Sequence, residues 1–117
     1  MLEAQSSLLP PPSGQTALRA ATIGFDADSL QEMSRLLETL GARPVCQTLA
    51  HLRRVNPATF IGKGKLEEVK KALEKASAEV VAFDVELSPN QLKNLEKALG
   101  KPVIDRPGVI IEIFSRH

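Results

Sequence analysis

Glu79-Val80-Val81-Ala82-Phe83-Asp84-Val85-Glu86-Leu87-Ser88-Pro89-Asn90-Gln91-Leu92 is the stretch that decides the fold. Two acidic residues bracket an unbroken apolar run, the pattern of a strand covered on both faces. A helix start follows closely. Ser88 can cap it, Pro89 suits the first helical position, and Gln91 can complete a capping box. Leu92, Leu95 and Leu99 then carry helical spacing as far as Gly100.

The same alternation extends in both directions. Downstream, Pro102-Val103-Ile104-Asp105 reads as a short strand, and Val109 to Phe114 begins a last element, read as a helix despite its β-branched content. Upstream, Arg19-Ala20-Ala21-Thr22-Ile23-Gly24 is a strand candidate. Leu30, Met33, Leu37 and Leu40 recur at helical spacing, and Gly41 stands where a left-handed residue ends a helix. Pro44 to Leu52 reads as a more polar strand, suited by its proline to a sheet edge. After a loop, Leu66, Val69, Leu73 and Ala76 mark another helix. Strands alternating with helices imply parallel pairing through right-handed crossovers. The expected class is therefore α/β, an open and mostly parallel Rossmann-like sheet of about four strands with helices on both faces. Ligands of such sheets approach the carboxyl ends of the strands.

Residues 1–16 read as a disordered Pro/Ser-rich leader, since Pro10-Pro11-Pro12 cannot join a ladder. The α/β domain then occupies 17–117. With 43% hydrophobic and 25% charged residues the 117-residue chain is a globular mixture able to bury one core. Four Phe and no Trp or Tyr make that core aliphatic and exclude a base-stacking platform of aromatic rings. The net charge of +1 leaves electrostatic recognition to local patches, and the single Cys46 rules out an intrachain disulfide. There is no signal-peptide pattern, and no apolar run approaches the ~18 residues of a membrane span. A cytoplasmic chain with no membrane anchor is expected.

Three strands run into an aspartate, at Asp26, Asp84 and Asp105. Such carboxylates could bind Mg²⁺ or accept a phosphoryl group, but the lysine-ended fifth strand of a receiver domain is missing. The alternative, favoured here, is that they satisfy backbone donors of turns and helix starts. Phe60-Ile61-Gly62-Lys63-Gly64-Lys65-Leu66 is more informative. Gly62 and Gly64 let a backbone approach closely, and Lys63 and Lys65 add charge beside the free N–H groups of a helix start. The stretch suits a phosphate of a nucleotide or of RNA, although it is not a P-loop. From His51 to Lys75 seven Lys/Arg face three Glu, a local +4, whereas Asp26 to Leu40 holds four acids and one Arg. This polarity favours a face that meets polyanion. Glu–Lys pairs on a solvated helix explain the later lysines, but not Arg53, Arg54, Lys63 and Lys65, expected on loops. No catalytic residue is identified: Cys46 reads as a small core residue, His51 has no evident nucleophile to serve, and no metal-ligand spacing occurs.

Asn56-Pro57-Ala58-Thr59-Phe60-Ile61-Gly62-Lys63-Gly64-Lys65-Leu66-Glu67-Glu68, then Phe83-Asp84-Val85-Glu86-Leu87-Ser88-Pro89-Asn90-Gln91-Leu92-Lys93-Asn94-Leu95-Glu96, then Val103-Ile104-Asp105-Arg106 with Ile111-Glu112-Ile113-Phe114, closely resemble the N-terminal domain of the HflX family of GTPases. The resemblance covers residues 19–117. It implies a module that binds the large (50S) ribosomal subunit and its rRNA and helps dissociate or rescue ribosomes. Arg53, Arg54, Gly62, Lys63, Gly64 and Lys65 would be its contacts. It also implies a parent protein with a helical hairpin and a GTPase domain using GTP and Mg²⁺, neither cofactor being expected in the present stretch.

The rival reading is a regulatory domain that binds ATP at Gly62–Lys65, with Asp84 or Asp105 near the ribose or a metal. The chain departs from the family pattern at Pro107, where threonine is usual. No Gly-x-x-x-x-Gly-Lys-Ser/Thr or Asn-Lys-x-Asp occurs. A fragment is therefore expected, not itself an enzyme. Ending at His117, it would leave Ile110, Ile113 and Phe114 open to homodimerisation or fraying.

Overall fold

The computed structural model describes residues 17–115, so the expected leader lies outside the described residues. In chain order the elements are β1 (Arg19–Gly24), α1 (Ala27–Thr39), β2 (Arg43–Leu49), α2 (Lys63–Ala76), β3 (Val80–Phe83), α3 (Pro89–Leu99), β4 (Val103–Asp105) and α4 (Arg106–Ser115). The strands form one parallel sheet in the order β2-β1-β3-β4. This is the open α/β sandwich expected from the sequence.

The apolar run that decides the fold is central. All four residues of β3 are buried, and they alternate between two cores. Val81 and Phe83 meet Val69 and Leu73 of α2 and Leu95 and Leu99 of α3. Val80 and Ala82 meet Met33 and Leu37 of α1 and Val109 of α4. The chain steps from β1 to β2 over one face, then back across to β3 and on to β4 over the other, as a constant crossover hand requires. The direction of winding reverses between β1 and β3, which makes their carboxyl ends the switch point.

Local chemistry sets the ends of the elements. Asp26 caps α1 by accepting from Ser29 N at 2.9 Å. Ser88 and Gln91 form the expected capping box, and Gly100 closes α3 in the left-handed region. Ser88→Ala removes one partner of that box and should cost about 1 kcal/mol in urea unfolding. An unchanged midpoint would show that Gln91 alone suffices. Arg19 closes α2 from a distance, its guanidinium donating to Ala76 O at 2.7 Å and Ser77 O at 3.1 Å.

Two expectations change. α4 begins at Arg106, ahead of Val109, because the Asp105 carboxylate accepts from Gly108 N at 3.0 Å and Pro107 tolerates a first turn. The open apolar face of α4 is Ile111, 65% exposed, with Phe114, 75% exposed. Ile113 instead packs against the α1-side core, and Ile110 is half-buried.

Candidate polyanion-binding site

The segment between β2 and α2 is built as a braced loop. Asn56 and Phe60 exchange backbone hydrogen bonds at 3.0 and 2.8 Å, closing the turn Pro57-Ala58-Thr59. Inside it the Asn56 side chain accepts from Ala58 N at 2.8 Å and Thr59 N at 3.2 Å. The helix α3 holds the turn from below: Gln91 Nε2 donates to Pro57 O at 3.3 Å and Asn94 Nδ2 to Ala58 O at 3.0 Å. Phe60 sits at φ 65°, a conformation that costs a bulky residue about 1–3 kcal/mol. Its ring packs tilted on Phe25, with centroids 5.3 Å apart. Such strain persists where surrounding contacts over-determine it.

Ile61 is fully buried and anchors the chain as it enters α2. Gly62 is the N-cap, in extended backbone at φ −77° and ψ 172°, and no side chain caps the helix. The first-turn N–H groups of Lys63, Gly64 and Lys65 therefore point outward with the positive end of the helix dipole behind them. A Cβ at Gly62 or Gly64 would meet nothing within 4 Å, and neither glycine has a positive φ. Elsewhere glycines have local reasons. A Cβ at Gly24 would lie 2.8 Å from Leu30 Cδ1, and one at Gly108 2.8 Å from Ile104 Cγ1.

Between segment 52–57 and Gly62 lies an open cleft of about 380 Å³. It brings Arg53 and Arg54 together with Gly62, and Lys63 adjoins it in the chain. Lys63 and Lys65 are not on a loop: the first turn of α2 already includes them, because a glycine in a first turn interrupts little. Lys65 is partly committed, pairing with Glu68 at 3.1 Å, whereas Arg53, Arg54 and Lys63 make no ion pair among the described residues. Gln91 and Asn94, which brace the turn beside the cleft, are the candidate-site residues that the sequence did not single out. The spacing around Gln91 points to its capping role alone.

Asp84 and Asp105 are used differently. Asp105 accepts from Leu87 N at 3.0 Å as well as Gly108 N, the turn-satisfying role favoured for these acids. Asp84 has a side chain only 1% exposed and lies at the switch point, between Ser29 Oγ and Arg106 Nη1. Arg106 reaches on to Glu32 at 2.9 Å. The hydrogen bond that Arg106 donates to Asp84 raises the guanidinium pKa above its ordinary value; burial opposes this to a lesser extent, and the hydrogen bond to Glu32 adds to the rise. At the end of the sheet that usually takes ligands, Ser29, Glu32, Asp84 and Arg106 are thus engaged with one another. Among the described residues no group of three or more His, Cys, Asp or Glu could hold a metal. Burial pushes the Cys46 thiol up, away from the thiolate a nucleophile needs.

Residues 27–115 match the family model described as GTP-binding GTPase N-terminal. The chain is 42% identical over 101 residues to the GTPase HflX of Lacrimispora saccharolytica, and 36% over 92 residues to that of Escherichia coli K12. It belongs to the HflX N-terminal domain family. These alignments cover 84% and 79% of the chain, but only 24% and 22% of the relatives. The chain thus spans about a quarter of the length of the HflX proteins it matches.

The fold is shared with solved structures. A GTP-binding protein from Sulfolobus solfataricus in complex with GDP superposes with a TM-score of 0.67 at 22% identity, over 86% of this chain and 31% of its own. A structure of SsGBP with GDP gives 0.69 at 23% identity, over 86% of this chain and 29% of its own. No helix among the described residues is long and apolar enough to cross a membrane.

Proposed function

We propose that this HflX-type domain docks a GTPase on the large (50S) ribosomal subunit in the cytoplasm, as part of ribosome dissociation or rescue. Its contact with rRNA phosphates would run through Arg53, Arg54, Lys63 and the first turn of α2. One observation carries the reading: unshared positive side chains surround a helix start whose glycines nothing in the domain requires. Lys65 contributes less than its neighbours, since Glu68 shares its charge, though an exposed pair of this kind holds it only weakly. GTP and Mg²⁺ belong in this reading to a GTPase domain of the longer protein. The present residues do not fit them, because no P-loop precedes α2 and the switch-point carboxylate is already paired.

Co-sedimentation with large subunits tests the proposal. Pelleting should weaken with salt and fail when Arg53, Arg54, Lys63 and Lys65 are all reversed to Glu. The slope of log affinity against log salt should fall by about one unit for each phosphate no longer neutralised. Equal pelleting and an equal slope in that variant would sink the assignment. The uncapped helix start also suits the phosphates of ATP. Saturable binding of free ATP, with no pelleting at any salt, would favour that second reading.

A further inference from the structure

We infer that the cleft beside Gly62 receives one unstacked nucleotide of an RNA, its base against an arginine guanidinium and its phosphate on the first turn of α2. The inference rests on the ribosome-docking reading and names the kind of RNA feature it would select.

The shape of the site argues for a nucleotide instead of a smooth duplex backbone. A duplex can lie on a flat basic face through phosphates alone. Here the basic residues line a concavity of about 380 Å³, within the range of small-ligand pockets, which runs from ~300 to 1,000 Å³. Its lining mixes Leu52, Val55 and Pro57 with Arg53 and Arg54. That combination matches an apolar base face and its negative π-cloud, which stack on guanidinium planes as well as on rings.

Aromatic stacking is not an option at this site. The chain has no Trp or Tyr, and Phe60 is turned onto Phe25. The guanidiniums are free to do it, since neither arginine has an ion-pair partner among the described residues. Gly62 lines the cleft with open space around its Cα, and the uncapped amides behind it match the attached phosphate. The rim is also held in place before binding. The hydrogen bonds from Gln91 and Asn94 fix the 56–60 turn, so little ordering entropy remains to be lost on binding.

Two RNA hairpins with one stem sequence test this, one carrying a single bulged 2-aminopurine and the other fully paired. Titration at fixed salt should give the bulged RNA an advantage of about tenfold, the size of one stacked base. Val55→Gln, which fills the cleft at a 47% exposed position without adding charge or a ring, should abolish that advantage and leave the paired stem unaffected. Equal affinity for the two RNAs, or a preference that survives Val55→Gln, would overturn the inference. Tighter binding of free ATP than of the bulged RNA would overturn it too, by assigning the cleft to a free nucleotide. Sedimentation with large subunits, run on the same preparation, separates the two levels. Docking without a bulge preference removes only this inference, whereas loss of docking removes the reading beneath it.

Discussion

Arg106→Ala is expected to lower folding stability by about 3–5 kcal/mol, out of the 5–15 kcal/mol typical of a domain. The Asp84 side chain is 1% exposed, and Arg106 is its one cationic partner among the described residues. Removing the guanidinium leaves a buried carboxylate with the Ser29 hydroxyl alone, and water cannot replace the missing charge. Glu32 would lose a partner as well, but at 58% exposure it returns to solvent at little cost. The penalty therefore comes from Asp84.

That origin makes a second expectation. Asp84→Asn in the Arg106→Ala background should recover much of the loss, because the uncompensated charge is gone. Urea unfolding of the two single variants and the double variant measures the coupling directly. A loss under 1 kcal/mol in Arg106→Ala would mean that Asp84 is solvated in a way its burial does not suggest. The pair joins the end of β3 to the first residue of α4, and Glu32 ties both to α1. Weakening it should also loosen α4, which hydrogen exchange along 106–115 would report.

The parallel α/β class and the helix layers on both faces could be anticipated, because they rest on local signals and on the alternation of strands with helices. A short, β-branched run such as Val80–Phe83 reads as a strand buried on two sides, and Ser88, Pro89 and Gln91 write a helix start within four residues. Edges were less legible. β2 stops at Leu49 and not at Leu52, since an edge strand is paired on one side and its pattern fades into the loop. The switch-point cluster could not be read at all. Ser29 lies 55 residues from Asp84 and Arg106 lies 22 away, so only the folded sheet brings them together. Within the candidate site the basic residues and glycines were visible as types. Their division into free charges and a Lys65–Glu68 pair was not, nor was the brace from Gln91 and Asn94. Those are contacts of position, and spacing along the chain does not encode them.

The double variant Gly62→Ser/Gly64→Ala should separate stability from function, moving the two in opposite directions. Gly62 is an N-cap in extended backbone, so serine fits there and its hydroxyl can accept from the first-turn amides. Gly64 lies in the first turn of α2 with open space around its Cα, so alanine meets no clash and restricts the unfolded chain. Together the changes should stabilise the domain by about 1 kcal/mol. The same two side chains occupy the approach to the helix start, and the serine hydroxyl competes for the amides a phosphate would use. Large-subunit binding should then fall at least about tenfold, the loss of a single good charge-assisted hydrogen bond. Destabilisation would mean that the glycines serve the domain's own fold in a way the open space around them conceals. Stabilisation with full binding would mean that no ligand comes close to this backbone, and the docking surface would have to lie elsewhere on the basic face. Only a more stable domain that binds less well is consistent with glycines kept for a partner, because nothing within the domain would then account for them.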